Sequence, residues 1–318
     1  MLRFLLRRLV GAIAVLFAIS VLVFLIFNVV PATNPAQRIA GKNATPQLIK
    51  NVEKEWGFDK SLPGQYWTQM KLIFTAKATS YNDHANVDKR ILEGIPATAS
   101  LCIGAAIIWL TFGILFGYLS AIRAGGFTDR ALTVVALIGI SMPVFWLASI
   151  LLYYFTYKIE IFPSHGYEPL SNPSAWFSHL ILPWITLAVL FAGFYSRVLR
   201  SSMLDVMNED YVRTARAKGL SQRRVMMRHV LRNSLIPIVT LFGLDFGAVV
   251  GGGAIVTEYM FSIEGVGLFT AEALKQQDFP SIMAVTIFGA FFIVLFNTLV
   301  DVAYAYLDPR IRLGTSAA

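Results

Sequence analysis

Six long apolar runs constrain this chain more than any other feature: residues 9–30, 97–121, 131–157, 180–199, 235–256 and 281–306. Each holds about the 20 residues that an α-helix needs to cross a bilayer core. None alternates apolar with polar residues, as a membrane barrel strand does. Backbone groups in lipid must bond within their own segment, so helices are the expected element. Composition agrees. The chain is 56% hydrophobic and 14% charged, against about a quarter charged for a soluble domain. So few charges cannot cover the surface of a water-soluble protein. The expected fold class is an all-α integral membrane protein with about six transmembrane helices. The first run follows Arg3, Arg7 and Arg8, as in a signal peptide. It is longer than the roughly 7–15 apolar residues of such a peptide. It also ends in Asn28, Pro31 and Asn34, without a small-residue cleavage site. It reads as a retained first helix.

The net charge is +8. Position argues against nucleic acid as the partner, because the basic residues sit in short segments between apolar runs. Arg3, Arg7 and Arg8 precede the first run, and Arg123 and Arg130 flank the loop after the second. Arg213, Arg216, Lys218, Arg223, Arg224, Arg228 and Arg232 crowd the loop after the fourth, and Arg310 and Arg312 follow the last. With six spans these segments share one side, which the positive-inside rule makes cytoplasmic. The fifth loop carries Glu258, Glu264, Glu272 and Asp278 against Lys275 alone and falls outside. The expected organisation is a first span (1–30), an extracytoplasmic cap segment (31–96), a five-helix core (97–307) and a cytoplasmic tail (308–318). The core contains a cytoplasmic loop at about 205–233. Both termini are cytoplasmic.

The cap segment carries two helix signals. Thr45-Pro46 reads as an N-cap followed by proline at the first helical position. Leu48, Ile49, Val52 and Trp56 follow at helical spacing until Gly57. Past Pro63, Tyr66, Trp67, Met70 and Phe74 repeat the pattern. Such pieces pack as a small cap or lie on the membrane surface. No phosphate-binding G-x-x-x-x-G-K-[ST] loop is present, nor an H-E-x-x-H or a G-x-S-x-G. Gly251-Gly252-Gly253 lies in an apolar span, where close helix packing is the expected use. His84, His165, His179 and His229 are scattered over different loops, and Cys102 is the single cysteine. Neither a catalytic nor a metal site is expected.

The informative polar stretch is Glu209 to Pro237, EDYVRTARAKGLSQRRVMMRHVLRNSLIP. A short helix, a break at Gly219 and a second helix opened by Ser221 are expected. On the second helix Arg224, Arg228 and Arg232 form one stripe, and Met226, Met227, Val230 and Leu231 an apolar one. From the residues alone, a helix on anionic lipid and a protein-docking arm are both open.

This loop resembles the cytoplasmic coupling loop, the EAA loop, of ABC importer permeases. It is most similar to the dipeptide/oligopeptide branch, which reads much like DYVRTARAKGLS followed by RHVLRNSLIP. The general motif places Glu-Ala-Ala six to four residues before a glycine. Here Arg213, Thr214 and Ala215 precede Gly219, a departure shared with the peptide branch. MLRFLLRR (1–8), GFDKSLPGQY (57–66), RVLRSSMLD (197–205) and DVAYAYLDPRIR (301–312) resemble that branch too. KLIFTAKATSYNDHANVDK (71–89) departs from its glycine-rich pattern.

The resemblance implies a type I importer permease in the inner (plasma) membrane, non-catalytic and without a cofactor of its own. ATP and magnesium act on two partner ATPase subunits. The other implied partners are a second homologous permease subunit, an extracytoplasmic substrate-binding protein and the peptide itself. Arg213, Thr214, Ala215, Lys218, Gly219 and Leu220 would contact an ATPase. Pro143 falls inside the third span, and Pro183 and Pro237 near the starts of the fourth and fifth; these positions suit bending, and a proline tolerated in a membrane helix is the other reading. Asp245, half-way along the fifth span, is costly facing lipid, by about 2.5–3.5 kcal/mol on insertion scales. It fits a helix interface or the translocation path. Nickel, glutathione or another small solute is the alternative cargo. A secondary transporter and a membrane-embedded enzyme are the rival classes, and the chain lacks the internal repeat and the convergent polar groups they would need.

Overall fold

The computed structural model of the chain describes residues 2–29, 35–40 and 44–307. The expected tail, with Arg310 and Arg312, and the start of the cap at 31–34 lie outside these. In chain order the helices are α1 (Leu2–Phe24, prolonged by a π-helical turn, Leu25–Val29), α2 (Pro35–Ala40), α3 (Pro46–Trp56), α4 (Leu62–Phe74) and α5 (Val87–Ile122). Next come α6 (Phe127–Ser141), α7 (Val144–Leu151, prolonged by the π-helical Leu152–Lys158), α8 (Pro173–Val206) and α9 (Asp210–Ala217). α10 (Gln222–Arg224) runs through a π-helical stretch, Val225–Leu231, into α11 (Arg232–Ser234). α12 (Ile236–Ala248, prolonged by Val249–Gly253), α13 (Ile255–Phe261), α14 (Val266–Gln276) and α15 (Phe279–Leu307) complete the chain. Extended structure among the described residues is confined to one bridge, Thr79 to Asn86.

Five helical stretches are long and apolar enough to cross a bilayer: Leu6–Val29, Val87–Ile122, Pro173–Val206, Ile236–Gly253 and Phe279–Val302. They correspond to five of the six expected spans. The remaining one, 131–157, is not a single straight helix. Phe127–Ser141 and Val144–Lys158 meet at a bend of 101°. Pro143 lacks an N–H, and its ring drives the preceding residue out of the helical region. Met142 is accordingly extended at φ −75°, ψ 123°. Pro183, by contrast, sits inside an unbroken α8, and Pro237 occupies the first turn of α12, where no N–H is required.

The described residues fall into two compact units: those within 1–96, 250–255 and 264–307, and those within 97–249 and 256–263.

In the first unit α1 packs along α15, and Arg8 pairs with Asp301 at 2.8 Å. Gly251 meets Gly289 of α15 backbone to backbone. A Cβ on Gly251 would lie 2.7 Å from the Gly289 carbonyl oxygen, and one on Gly289 would overlap the Gly251 carbonyl. Of the glycine run, Gly251 alone takes the expected packing role; Gly252 sits at a kink and Gly253 is exposed. The cap helices start and stop as their residues dictate. The Thr45 hydroxyl accepts the Leu48 N–H at 3.3 Å, Pro46 opens α3, and Gly57 closes it at φ 71°. α4 packs on α1 and α15 through a cluster of Val23, Met70 and Met283. Tyr66 and Ser20 share a hydrogen bond of 2.8 Å, and Asn28 donates to Gln69 at 2.6 Å. The divergent 71–89 stretch is anchored as well. The Tyr81 N–H and the Ser281 hydroxyl donate to Asp278 at 2.9 and 2.5 Å. Asp278, one of the acids of the expected fifth loop, is buried.

In the second unit α5 and α8 approach closely through small residues, as membrane helices do. A Cβ on Gly117 would lie 2.7 Å from the Ser196 carbonyl oxygen, and one on Gly104 would overlap the Trp184 ring. The Trp184 indole N–H donates to the Ser100 carbonyl at 2.9 Å. Leu101, Trp109, Leu180, Tyr195, Leu199 and Met203 are fully enclosed, and α8 also packs on α6 and α12. Glu258, counted in the same expected loop, is buried too. Gly252, at φ 155°, breaks the fifth span, and the helix resumes as α13. That turn carries Glu258 fully inside, where the Thr98 hydroxyl donates to it at 2.7 Å.

Candidate coupling and translocation sites

The polar loop after α8 folds into two arms. α9 begins after Glu209, whose carbonyl accepts the Val212 and Arg213 N–H groups at 3.0 and 3.2 Å. It ends with the Lys218 N–H on the Thr214 carbonyl at 3.0 Å and the Gly219 N–H on that of Arg216 at 2.9 Å. Gly219 then takes φ 76°, a left-handed turn that favours glycine. Ser221 precedes the second arm, but its hydroxyl makes no capping bond. The arms hold each other: Asn233 donates to the Tyr211 hydroxyl at 2.8 Å, and α9 lies on the Val225–Leu231 stretch.

Burial sorts the expected contact residues. Arg213, Thr214, Lys218 and Gly219 are exposed and Leu220 is half-buried. Ala215 faces inward with Val212, so it packs α9 onto its own chain. Arg224, Arg228 and Arg232 all remain exposed, as the four-residue spacing predicts. The apolar stripe differs from expectation. Val225, Met226, Val230 and Ser234 are buried, whereas Met227 is 49% exposed. The stretch Val225–Leu231 is π-helical, so the α-helical spacing that joined Met227 to the buried stripe does not hold there. The Arg213–Asp210 pair, at 3.5 Å and largely solvated, adds little to stability.

Asp245 is half-buried on α12, and the Tyr195 hydroxyl of α8 donates to its Oδ2 at 2.8 Å. Tyr195 belongs to an aromatic group centred on Trp109. Trp109 sits 4.7 Å from Phe191, 6.1 Å from Phe242 and 6.4 Å from Tyr195, centroid to centroid. A half-buried carboxylate fixed at one oxygen suits an ammonium group by charge.

Sequence reasoning missed three groups: Tyr195, the burial of Glu258, and an ion pair at 2.6 Å between buried Asp129 and half-buried Arg200. The last had a usable signal. Opposite charges end two apolar runs on the same expected side of the membrane.

The helical stretches, long and apolar enough to cross a bilayer, are those of a multi-pass membrane protein. Comparison with known proteins agrees. Residues 113–313 match the family described as binding-protein-dependent transport system inner membrane component. Residues 1–102 match the N-terminal model of the same systems. A protein described as "Probable peptide ABC transporter permease protein" from Sinorhizobium fredii is 39% identical, over 97% of this chain and 99% of its own length. The dipeptide transport system permease protein DppB of Alkalihalophilus pseudofirmus is 35% identical, over 98% and 100%. The glutathione transport system permease protein GsiC of Salmonella choleraesuis is 36% identical, over 98% and 99%. The chain belongs to the binding-protein-dependent transport system inner membrane component family, as an ABC importer permease.

Proposed function

We propose that this chain is one of two pore-forming subunits of an ATP-driven importer for di- and oligopeptides. The observation that carries the reading is the two-armed loop, which presents Arg213, Thr214, Lys218 and Gly219 outward beside a chain-wide similarity to peptide permeases. α9 docks on a cytoplasmic ATPase subunit, with Leu220 at the edge of the contact and Ala215 supporting it from within. A second, homologous permease subunit completes the path, and an extracytoplasmic binding protein delivers the peptide. Both termini and the coupling loop are cytoplasmic, and the segment 31–96 is outside. The chain has no catalytic residue and binds no cofactor; ATP and magnesium act on the ATPases. Asp245 lines the path and meets the ammonium end of the peptide.

The similarity to a glutathione permease supports one second reading, glutathione as the cargo. Reconstitution of the chain with its partner permease, ATPases and binding protein in proteoliposomes tests both. ATP-dependent uptake of labelled dipeptides or longer peptides is expected. Uptake of glutathione alone would favour the second reading. Uptake driven by an ion gradient without ATP hydrolysis would overturn both.

A further inference from the structure

Asp129 stands at the start of α6 and is 4% exposed. Nε and Nη2 of Arg200, on α8, donate to its two oxygens at 2.6 and 2.7 Å. The Gly125 N–H, in the turn between α5 and α6, donates to Oδ2 at 2.8 Å, and the Ser120 hydroxyl at the end of α5 donates to Oδ1. Four donors, from α5, the α5–α6 turn and α8, thus meet on one buried carboxylate. Arg200 lies six residues before the end of α8, about 9 Å along the axis at 1.5 Å per residue. α9 starts just beyond, at Asp210. Two residues past Arg200, the Ser202 hydroxyl donates to the Ser234 carbonyl at 3.3 Å, on the far arm of the same loop. The last turns of α8 therefore bind the α5–α6 turn and the return arm of the coupling loop.

We propose that Asp129 and Arg200 are positioning residues for coupling: their two-pronged bond makes the α5–α6 turn and α8 move as one body, so that displacement of α9 reaches α5 and α6. Apolar helix contacts can slide past each other in shear. A planar guanidinium on a carboxylate resists both sliding and rotation, because two parallel bonds fix its plane. This inference rests on the reading of α9 as the ATPase contact.

The test is the number of peptides carried per ATP hydrolysed, measured in the reconstituted full transporter. Arg200→Lys keeps the charge and loses the fork. The double variant Asp129→Leu with Arg200→Met removes the bond without leaving a buried charge, so it keeps the protein foldable. Both are expected to retain membrane level, ATPase co-purification and hydrolysis. The transport ratio is expected to fall about fivefold or more, within the range of coupling between sites. An unchanged ratio in the folded double variant would overturn the proposal and leave the docking reading intact. Failure of the unaltered chain to co-purify with its ATPases would instead overturn the docking reading, and this inference with it.

Discussion

The hydroxyl of Tyr195 donates to Oδ2 of Asp245 across 2.8 Å, joining two helices whose contributing residues lie 50 apart in sequence. Tyr195 itself is fully enclosed, while the Asp245 side chain is only half-buried. One oxygen is thereby oriented by the protein, which fits either an interface anchor or a group that meets cargo.

These roles separate on substitution. Asp245→Asn keeps size and an acceptor for Tyr195 but removes the charge. For a charge-assisted contact with peptide, uptake of free-amine peptides falls about tenfold, with little change for N-blocked ones. Tyr195→Phe shifts the same ratio less, because it loosens the carboxylate without removing it. Initial uptake rates for the two peptide classes measure this. Wild-type rates for both classes in Asp245→Asn would remove the charge from the mechanism.

Gly219 gives a conformational test of the loop. Its φ of 76° disfavours side chains, yet a Cβ there would meet nothing within 4 Å. The obstacle is backbone strain alone, about 1–2 kcal/mol for an ordinary L-residue. Gly219→Asn, which tolerates this region, should retain most transport. Gly219→Val should lose ATPase association and uptake while the protein stays in the membrane at its normal level. Equal transport by the two variants would separate the loop's shape from coupling.

Topology is open to labelling, because Cys102 is the single cysteine and is buried. The unaltered chain should not react with an impermeant thiol reagent in intact cells. Asp59→Cys, at an exposed position between α3 and α4, should be labelled from outside. Ser221→Cys, exposed in the coupling loop, should react only after the cells are opened. The reverse pattern would invert the proposed orientation.

The Gly251–Gly289 contact predicts intolerance to a single methyl group. Neither neighbour is a flexible side chain that could swing aside; each is the other's carbonyl. Gly289→Ala should destabilise the protein by about 1–3 kcal/mol, the usual effect of overpacking. Thermal unfolding in detergent should show a lower midpoint than for Gly11→Ala, whose Cβ would enter open space. Equal midpoints would mean that the helices separate at no cost.

The spans were legible because the demand of hydrocarbon is local and additive: a window of about 20 apolar residues suffices. Thr45, Pro46 and Gly57 were legible for a similar reason, since each acts on backbone groups within one turn. The site was legible only in part. The arginine spacing in the coupling arm and the break at Gly219 could be read directly. The outward turn of Met227 could not, because it depends on a π-helical stretch that residue types do not announce.

The sequence by itself determined the class of protein, the count of apolar runs, the position of the polar loop and the oddity of a carboxylate at Asp245. Tertiary structure alone decided that Pro143 breaks its span through 101°, that Glu258 and Asp278 turn inward, and which partners the buried charges find. Arg200 reaches Asp129 from 71 residues away, and Tyr195 reaches Asp245 from 50. Local patterns report what a segment needs from its solvent. A buried polar group must be satisfied by whatever the packed helices bring within about 3 Å of it, and that is a property of the packing.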